Sequence, residues 1–217
     1  MTADNGVQLK SATVAIAAVT AVVSALLIAS GAIEEAALRF GFMPARIGAS
    51  AMTQVMLEGA LPVWLTPWSA TLVHGGWIHL LFNLVMLVWV GSQVERALGP
   101  ANVLFAYLVG AFAAAAAQWV ADPGAFTPMV GASGAISAIF GIYALMGARP
   151  KAVTGSPRMN RAIHVVWLLA AWVVIQWMTA LLSEGQGVML ATPAHIGGFI
   201  AGLALQRPLL LWRYRRA

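Results

Sequence analysis

Long runs of uncharged, apolar residues dominate this sequence and restrict what the chain can fold into. Residues 11–33, for example, carry no charged side chain, and 61% of all 217 residues are hydrophobic while only 9% are charged. A helix of about 20 apolar residues crosses a hydrocarbon core about 30 Å thick. With a mean hydropathy of +0.84, the sequence excludes an ordinary soluble domain and indicates an all-α protein that crosses a membrane several times.

The breaks between the apolar runs predict six membrane-spanning helices in one membrane domain, residues 11–212. A signal peptide is the alternative interpretation of the first run, but the run is too long for one and follows both Asp4 and Lys10. A long loop of mixed composition, residues 34–73, separates the first two helices and is expected to lie partly at the membrane interface. The six helices are predicted at residues 11–33, 77–94, 101–121, 131–148, 162–182 and 193–211.

The distribution of basic residues predicts the orientation of the bundle. An even number of helices places the segment 1–10 and the basic tail 213–217 on the same side of the membrane. That side holds ten of the lysines and arginines, and the other side holds two, Arg39 and Arg46. Because lysine and arginine are enriched in cytoplasmic loops, both termini are predicted to be cytoplasmic, in a plasma membrane of bacterial type.

Polar side chains are rare in these runs, and the few present lie at one end of three predicted helices. His79 and Asn83 lie near the start of the second helix, four residues apart and therefore on one face, and His74 precedes them. Ser133 lies near the start of the fourth helix and His195 near the start of the sixth. These three helices run in the same direction, so the five groups are expected at similar depth beneath the outer leaflet. Polar groups buried in a bilayer are costly and usually functional.

Small residues on the fourth and sixth helices predict a close approach of the two helices. Such stripes let helix backbones come together in a membrane, and this contact would bring His195 near Ser133. The stripes consist of Ser133, Ser137 and Gly141 on the fourth helix and of Gly198 and Gly202 on the sixth.

A serine beside a histidine suggests nucleophilic catalysis. A serine hydroxyl becomes a nucleophile when a base takes its proton, and histidine is the usual base. His195 is the candidate base for Ser133, and His79 and Asn83 are candidate donors to a developing oxyanion. Taken singly, each residue also has a packing interpretation: His195 and Asn83 as hydrogen bonds between helices, and His74 as a tie between the long loop and the second helix.

The sequence does not supply the residues that other hydrolytic mechanisms need within the predicted spans. The chain has no cysteine, so it offers neither a thiol nucleophile nor a thiolate metal site. Its aspartates, Asp4 and Asp122, lie outside the predicted spans, and no His-Glu-x-x-His pattern is present. No carboxylate is placed to orient His195, which favours a dyad over a triad.

The ordered motifs around these residues resemble those of the rhomboid family of intramembrane serine proteases. The resemblance covers about residues 60–205 and the six-helix layout. Several motifs in sequence are specific, whereas a lone Gly-x-Ser-Gly would be weak. The motifs read His74-Gly-Gly-Trp-Ile-His79-Leu-Leu-Phe-Asn83, Gly91, Val94-Glu95-Arg-Ala-Leu-Gly99, Gly131-Ala-Ser133-Gly134 and Ala194-His195-Ile-Gly-Gly198-Phe-Ile-Ala-Gly202.

The resemblance implies a role for each matching position. Ser133 would be the nucleophile and His195 its general base, while His79, Asn83 and the backbone amide of Ser133 would form an oxyanion hole. The family cleaves transmembrane segments of other proteins near the outer leaflet, within the lipid bilayer, and uses no metal or organic cofactor; no nucleic-acid partner is implied. Structural support is expected from His74, Glu95, Gly131, Gly134, Gly198 and Gly202.

The sequence departs from the family pattern in two places. Ser137 stands where many members carry an aromatic residue that packs against the histidine, and the long loop lacks the Trp-Arg pair of some members.

Two other functions are alternatives to a protease. One is a catalytically silent rhomboid-like protein that binds membrane helices, but such proteins typically lack the serine or histidine kept here. A small transporter is the other; against it, the chain shows no repeat symmetry, and its polar groups cluster near one face.

Overall fold

The structure, a computed structural model, describes residues 11–48, 59–146, 152–184 and 191–215. For residues 175–184 the description is limited to the backbone. The predicted segment 1–10 and the last two residues of the basic tail lie outside these ranges. Within the described residues the chain is helical apart from its turns and loops and contains no β-strand, so the all-α prediction is confirmed there.

Helices coincide with each of the six predicted apolar runs, and short helices occupy the connection between the first two. The helices, numbered in chain order, are α1 (Ala12–Ala29), α2 (Ile33–Phe40), α3 (Thr66–Ser69), α4 (Trp77–Leu98), α5 (Pro100–Ala121), α6 (Ser133–Met146), α7 (Pro157–Glu184) and α8 (Thr192–Arg213). Turns of 3₁₀ helix lie at Pro44–Arg46 and Ala70–Leu72.

Four of these helices, α1, α4, α5 and α8, are long and apolar enough to cross a membrane. Helix α6 is apolar but has 14 residues, about 21 Å at about 1.5 Å per residue, which is shorter than a hydrocarbon core of about 30 Å. The outward faces of α1 and α4 are apolar, with Val22 60% and Ile78 73% exposed, as a lipid-facing surface requires. Six membrane crossings stay a prediction.

The segment predicted as a long mixed loop contains ordered structure that packs on the bundle. Besides α2 and α3, it includes Trp68, whose indole N–H donates to the carbonyl oxygen of Leu108 on α5 at 3.1 Å. Phe42 and Met129 exchange two backbone hydrogen bonds, of 3.0 and 2.7 Å. The loop is therefore attached both to α5 and to the segment that leads into α6.

Small residues bring α6 and α8 into backbone contact. A Cβ built on Gly198 would lie 2.0 Å from the carbonyl oxygen of Gly134, and one built on Gly202 would lie 2.0 Å from that of Ala138. These distances are far below van der Waals contact, so glycine is required at both positions of α8. On the neighbouring face of α8, a Cβ on Gly197 would lie 2.7 Å from the carbonyl oxygen of Ala113 in α5.

The face of α6 that meets α8 contains the predicted small residues, since a Cβ on Gly198 would lie 3.3 Å from the Cβ of Ser137. Gly141 belongs to it, because a Cβ there would lie 2.3 Å from the carbonyl oxygen of Phe199. The backbone carbonyls opposite the two glycines of α8, however, belong to Gly134 and Ala138, one residue after the predicted Ser133 and Ser137. The backbones come closest at these two carbonyls, and a Cβ built on Gly134 itself would lie 2.6 Å from the Cβ of Ala114 on α5.

Glu95, near the end of α4, gives the structural support expected of it by capping α1. Its carboxylate accepts hydrogen bonds from the backbone N–H groups of Ala12 at 3.1 Å and Thr13 at 2.7 Å, and from the Thr13 hydroxyl at 2.5 Å. The first N–H groups of a helix have no partner within the helix, and a negative charge is favourable beside them. Glu95 therefore fixes the start of α1 against the end of α4.

The α6–α8 contact predicts the effect of enlarging Gly198. We expect Gly198→Val to lower the free energy of unfolding by about 3 kcal/mol or more, because its side chain would collide with the backbone of Gly134 and overpacking is costly. Unfolding of the purified protein in mixed micelles measures this change. Gly155→Val is the matched control, since a Cβ at Gly155 meets no atom within 4 Å. Equal stability of the two variants would contradict the proposed contact.

Candidate active site

Ser133 is the first residue of α6, and a glycine in the left-handed region directs the chain into that position. Gly131 has φ +112°, a conformation that residues with a side chain rarely adopt, and its N–H donates to the carbonyl oxygen of Ala70 at 2.9 Å. The prediction that the helix begins at Gly131 is therefore wrong by two residues. Because Ser133 opens the helix, its backbone N–H belongs to the first turn, where N–H groups have no helical partner and the helix dipole is positive.

The hydroxyl of Ser133 lies in hydrogen-bond contact with a ring nitrogen of His195. The distance from Oγ to Nε2 is 2.7 Å, with both residues half-buried. Histidine 195 lies in the first turn of α8, three residues before Gly198, and Ser133 lies one residue before Gly134. The backbone contact between these glycines therefore holds the two side chains together.

His79 presents its ring toward the loop before Ser133. Its Nδ1 accepts a hydrogen bond from the backbone N–H of Gly75 at 3.3 Å, so in the neutral ring the proton lies on Nε2. A Cβ built on Gly131 would lie 2.8 Å from Nε2 and from Cε1 of this ring. The absence of a side chain at Gly131 therefore leaves room for a histidine N–H beside the start of α6.

Asn83 is buried one turn after His79 on the same face of α4, with 6% of its surface exposed. Its side-chain nitrogen donates to the carbonyl oxygen of His79 at 2.9 Å. A carboxamide nitrogen carries two N–H bonds, so this contact fixes the amide and leaves a second donor. The structure thus places Asn83 and His79 on one face, as the sequence predicts.

His74 is fully buried and joins α1 to the segment before Ser133. The Ser24 hydroxyl donates to the carbonyl oxygen of Leu72 at 2.7 Å and lies 2.8 Å from Nδ1 of His74. Nδ1 must therefore donate to that hydroxyl, which leaves Nε2 to accept from the backbone N–H of Ala132 at 3.4 Å. Burial lowers the pKa of His74 to about 3, consistent with this neutral form. The ring of His74 also lies 4.9 Å from that of His79 between centroids, so the expected tie between the long loop and the second helix is accompanied by a tie from α1.

The geometry joins a serine, a histidine and several N–H donors, and it offers no metal site within the described ranges. No group of three or more histidine, cysteine, aspartate or glutamate side chains there is arranged to hold a metal ion. These groups are the ones that a serine nucleophile, a base and an oxyanion site would need.

Comparison with known proteins identifies the family of this chain. Residues 62–212 match the family described as the rhomboid domain. The chain belongs to the rhomboid family.

Proteins named rhomboid protease GlpG are among its relatives. That of Pectobacterium atrosepticum is 32% identical over 139 residues, and that of Yersinia pestis strain Pestoides F is 31% identical over 138 residues. Each alignment covers 63% of this chain and 45% of the relative, so the chain spans less than half the length of these relatives. Together with its apolar helices, family membership identifies an integral membrane protein.

Two contacts of this rhomboid domain are absent from the sequence-based account. The indole N–H of Trp172 on α7 donates to the backbone carbonyl oxygen of His195 at 3.3 Å, and its ring stacks on Phe199 at 4.7 Å between centroids. Tryptophans are common in membrane proteins at the interface with water, so the residue type alone gives Trp172 no particular role. No local pattern marks this one, because its partners lie on a different helix.

Ser24 was also missed, although the sequence contains a signal for it. Thr13, Ala17, Thr20 and Ser24 are the buried residues of α1, spaced four, three and four apart, so they form one stripe of the helix. Polar residues repeating in this way within an apolar run indicate the face that turns toward the protein in a membrane.

The His74 network predicts that Ser24 stabilises the rhomboid domain. We expect Ser24→Ala to lower the free energy of unfolding by about 1–3 kcal/mol, because it leaves the buried N–H of His74 without its acceptor. His74→Ala should be destabilising by a similar route. Ser30→Ala is the matched control, since the Ser30 hydroxyl is exposed and bonds only within its own helix end. Unfolding in mixed micelles compares them, and a Ser24→Ala variant as stable as Ser30→Ala would refute the network.

Proposed function

We propose that this protein is an intramembrane serine endopeptidase that cleaves transmembrane segments of other membrane proteins near the outer leaflet. The observation that carries the proposal is the 2.7 Å contact between Ser133 Oγ and His195 Nε2 at the start of an apolar helix. Membership of the rhomboid family, with relatives named proteases, supports the same chemistry.

The reaction follows from the two side chains. As Ser133 Oγ attacks the carbonyl carbon of the peptide, its proton passes to His195 Nε2, and a tetrahedral intermediate forms. His195 then gives this proton to the leaving nitrogen, which breaks the carbon–nitrogen bond and leaves an acyl group on Ser133. A water molecule, deprotonated by the same nitrogen, releases the acyl group and restores the serine.

We assign three donors to the oxyanion that would develop in this reaction. They are the backbone N–H of Ser133, the Nε2–H of His79 and the second N–H of Asn83. Donors fixed in advance and excluded from water stabilise a developing charge strongly. Here the Gly75 contact fixes the ring of His79, and the His79 carbonyl fixes the amide of Asn83.

The surroundings of the dyad support a membrane-embedded substrate. The helices that carry His79 and His195, α4 and α8, are apolar enough to cross a membrane, which fits a substrate that is itself a transmembrane segment. The charge count places the starts of α4, α6 and α8, and hence the dyad, toward the outer leaflet. We propose no metal or organic cofactor for this reaction.

The dyad is tested by covalent labelling and peptide cleavage. We expect a fluorophosphonate probe to label Ser133 in the purified protein, because such probes need an activated hydroxyl. Labelling and cleavage of transmembrane peptides should both be lost in Ser133→Ala and His195→Ala. Ser30→Ala is the matched control: it removes an exposed hydroxyl that bonds the carbonyl oxygen of Leu27 at the end of α1, outside the cluster, and it should retain activity. Cleavage that persisted in Ser133→Ala would refute the serine mechanism.

The oxyanion donors should show an intermediate effect. Asn83→Ala keeps nucleophile and base but removes one donor, a change that typically costs about 100- to 1,000-fold in turnover. His79→Ala is expected to act similarly, and both effects should appear in kcat. Turnover of purified variants, measured beside their unfolding free energies, separates this loss from instability. An Asn83→Ala enzyme with unchanged kcat would remove Asn83 from the oxyanion site.

The orientation of the protein in the membrane is tested by the accessibility of single introduced cysteines. The chain has no cysteine of its own, so each introduced thiol is the only one that can react. A cysteine at Gly155 should react with a membrane-impermeant thiol reagent only after lysis, because the basic segment around it is predicted to be cytoplasmic. A cysteine at Gln186 should react in intact cells. The reverse pattern would place the dyad on the cytoplasmic side.

A further inference from the structure

We propose that a cavity at the end of the bundle opposite the dyad binds the phosphate headgroup of an anionic phospholipid. The cavity has a volume of about 440 Å³, many times the share of one water molecule, about 30 Å³. It lies where α1 begins, α4 ends, α5 begins and α8 ends. Its lining includes Ser11, Ser92, Glu95, Arg96, Gly99 and Arg213.

Two arginines give the cavity its affinity for an anion. Arg96 and Arg213 both line it, and among the described residues neither has a carboxylate within salt-bridge distance. Arg96 is bonded to the neutral side chain of Gln93. Within the described part of the chain, both guanidinium groups therefore lack an anionic partner.

Glu95 does not cancel this charge, although its carboxylate lies in the cavity wall. Both of its oxygens accept hydrogen bonds from the first residues of α1, Ala12 and Thr13. The positive end of the α1 dipole therefore offsets the negative charge of Glu95. The surface offered to a ligand is then dominated by the arginines and by hydroxyl groups.

The position of Arg213 is built into the fold. The Tyr214 hydroxyl donates to the carbonyl oxygen of Ala97 at 2.9 Å, which ties the end of α8 to the end of α4. Gly99, with φ +82°, turns the chain between α4 and α5, and a Cβ there would lie 3.3 Å from the guanidinium carbon of Arg213. The guanidinium group thus lies against a turn that has no side chain.

The surroundings favour a lipid over a free phosphate as the source of the anion. Trp212 and Tyr214 flank Arg213 and are 59% and 53% exposed, and such aromatic residues concentrate at the level of lipid headgroups. Leu211, 64% exposed, adds an apolar surface on the membrane side for an acyl chain. Basic pockets between transmembrane helices bind anionic headgroups in this way, and anionic lipids are abundant in the cytoplasmic leaflet.

Native mass spectrometry of the purified, delipidated chain tests the site. The probes are phosphatidylglycerol and phosphatidylcholine with identical acyl chains, and inorganic phosphate. We expect phosphatidylglycerol to bind at least fivefold more tightly than phosphatidylcholine. Arg96→Gln and Arg213→Gln should each weaken phosphatidylglycerol binding about fivefold, the factor that corresponds to about 1 kcal/mol for one arginine near an anionic lipid.

Matched variants make the outcome decisive. Arg158→Gln removes an equal charge from the start of α7, outside the cavity, and should bind phosphatidylglycerol like the parent chain. Arg213→Lys should keep the preference for phosphatidylglycerol, which distinguishes loss of charge from misfolding. Equal binding of the two lipids, or arginine variants that match Arg158→Gln, would overturn the proposal. Inorganic phosphate bound as tightly as phosphatidylglycerol and with the same arginine dependence would overturn the lipid assignment.

Discussion

The backbone contact between α6 and α8 is the constraint on which the candidate site depends. Gly198 and Gly134 approach so closely that no side chain fits between them, and the two reacting groups lie one to three residues from this point. Errors of about 1 Å in such positions can cost about 100-fold in rate. Contact between backbones defines a distance better than interlocking flexible side chains would, because glycine has no rotamers to adjust.

Hydrogen bonds from distant segments then hold the start of α6 in place. Ala70 accepts from Gly131, His74 accepts from Ala132, and Met129 pairs with Phe42. These contacts use backbone groups of an irregular segment that would otherwise be unsatisfied in an apolar environment, where each unpaired group is costly. The same bonds that make an irregular segment tolerable inside the bundle therefore also orient the donors beside Ser133.

The sequence identifies the residues of the candidate site better than it predicts the contacts between distant parts of the chain. Apolar runs and their breaks locate the long helices, and the rarity of polar residues within them singles out Ser133, His195, His79 and Asn83. Helix periodicity carries these inferences, since it depends on neighbours within one helix. The cap on α1 by Glu95 and the bond from Ser24 to His74 join residues 82 and 50 positions apart, and no local pattern specifies such pairs. The sequence predicts the start of α6 two residues too early, because the positive φ angle of Gly131 depends on contacts of the preceding loop.

The support of His195 shows how one departure from the family pattern is accommodated. Where many rhomboid proteins carry an aromatic residue, Ser137 directs its hydroxyl to the carbonyl oxygen of Ser133 at 2.8 Å, so it braces the backbone of the nucleophile. Trp172 instead supplies an aromatic contact from α7, through the carbonyl of His195 and the ring of Phe199. Because this support acts on the backbone of α8, it fixes the helix that carries the histidine and leaves the ring to be oriented by Ser133 and its own surroundings. The side chain of Trp172 therefore links the position of α7 to the backbone of the residue that carries the dyad histidine.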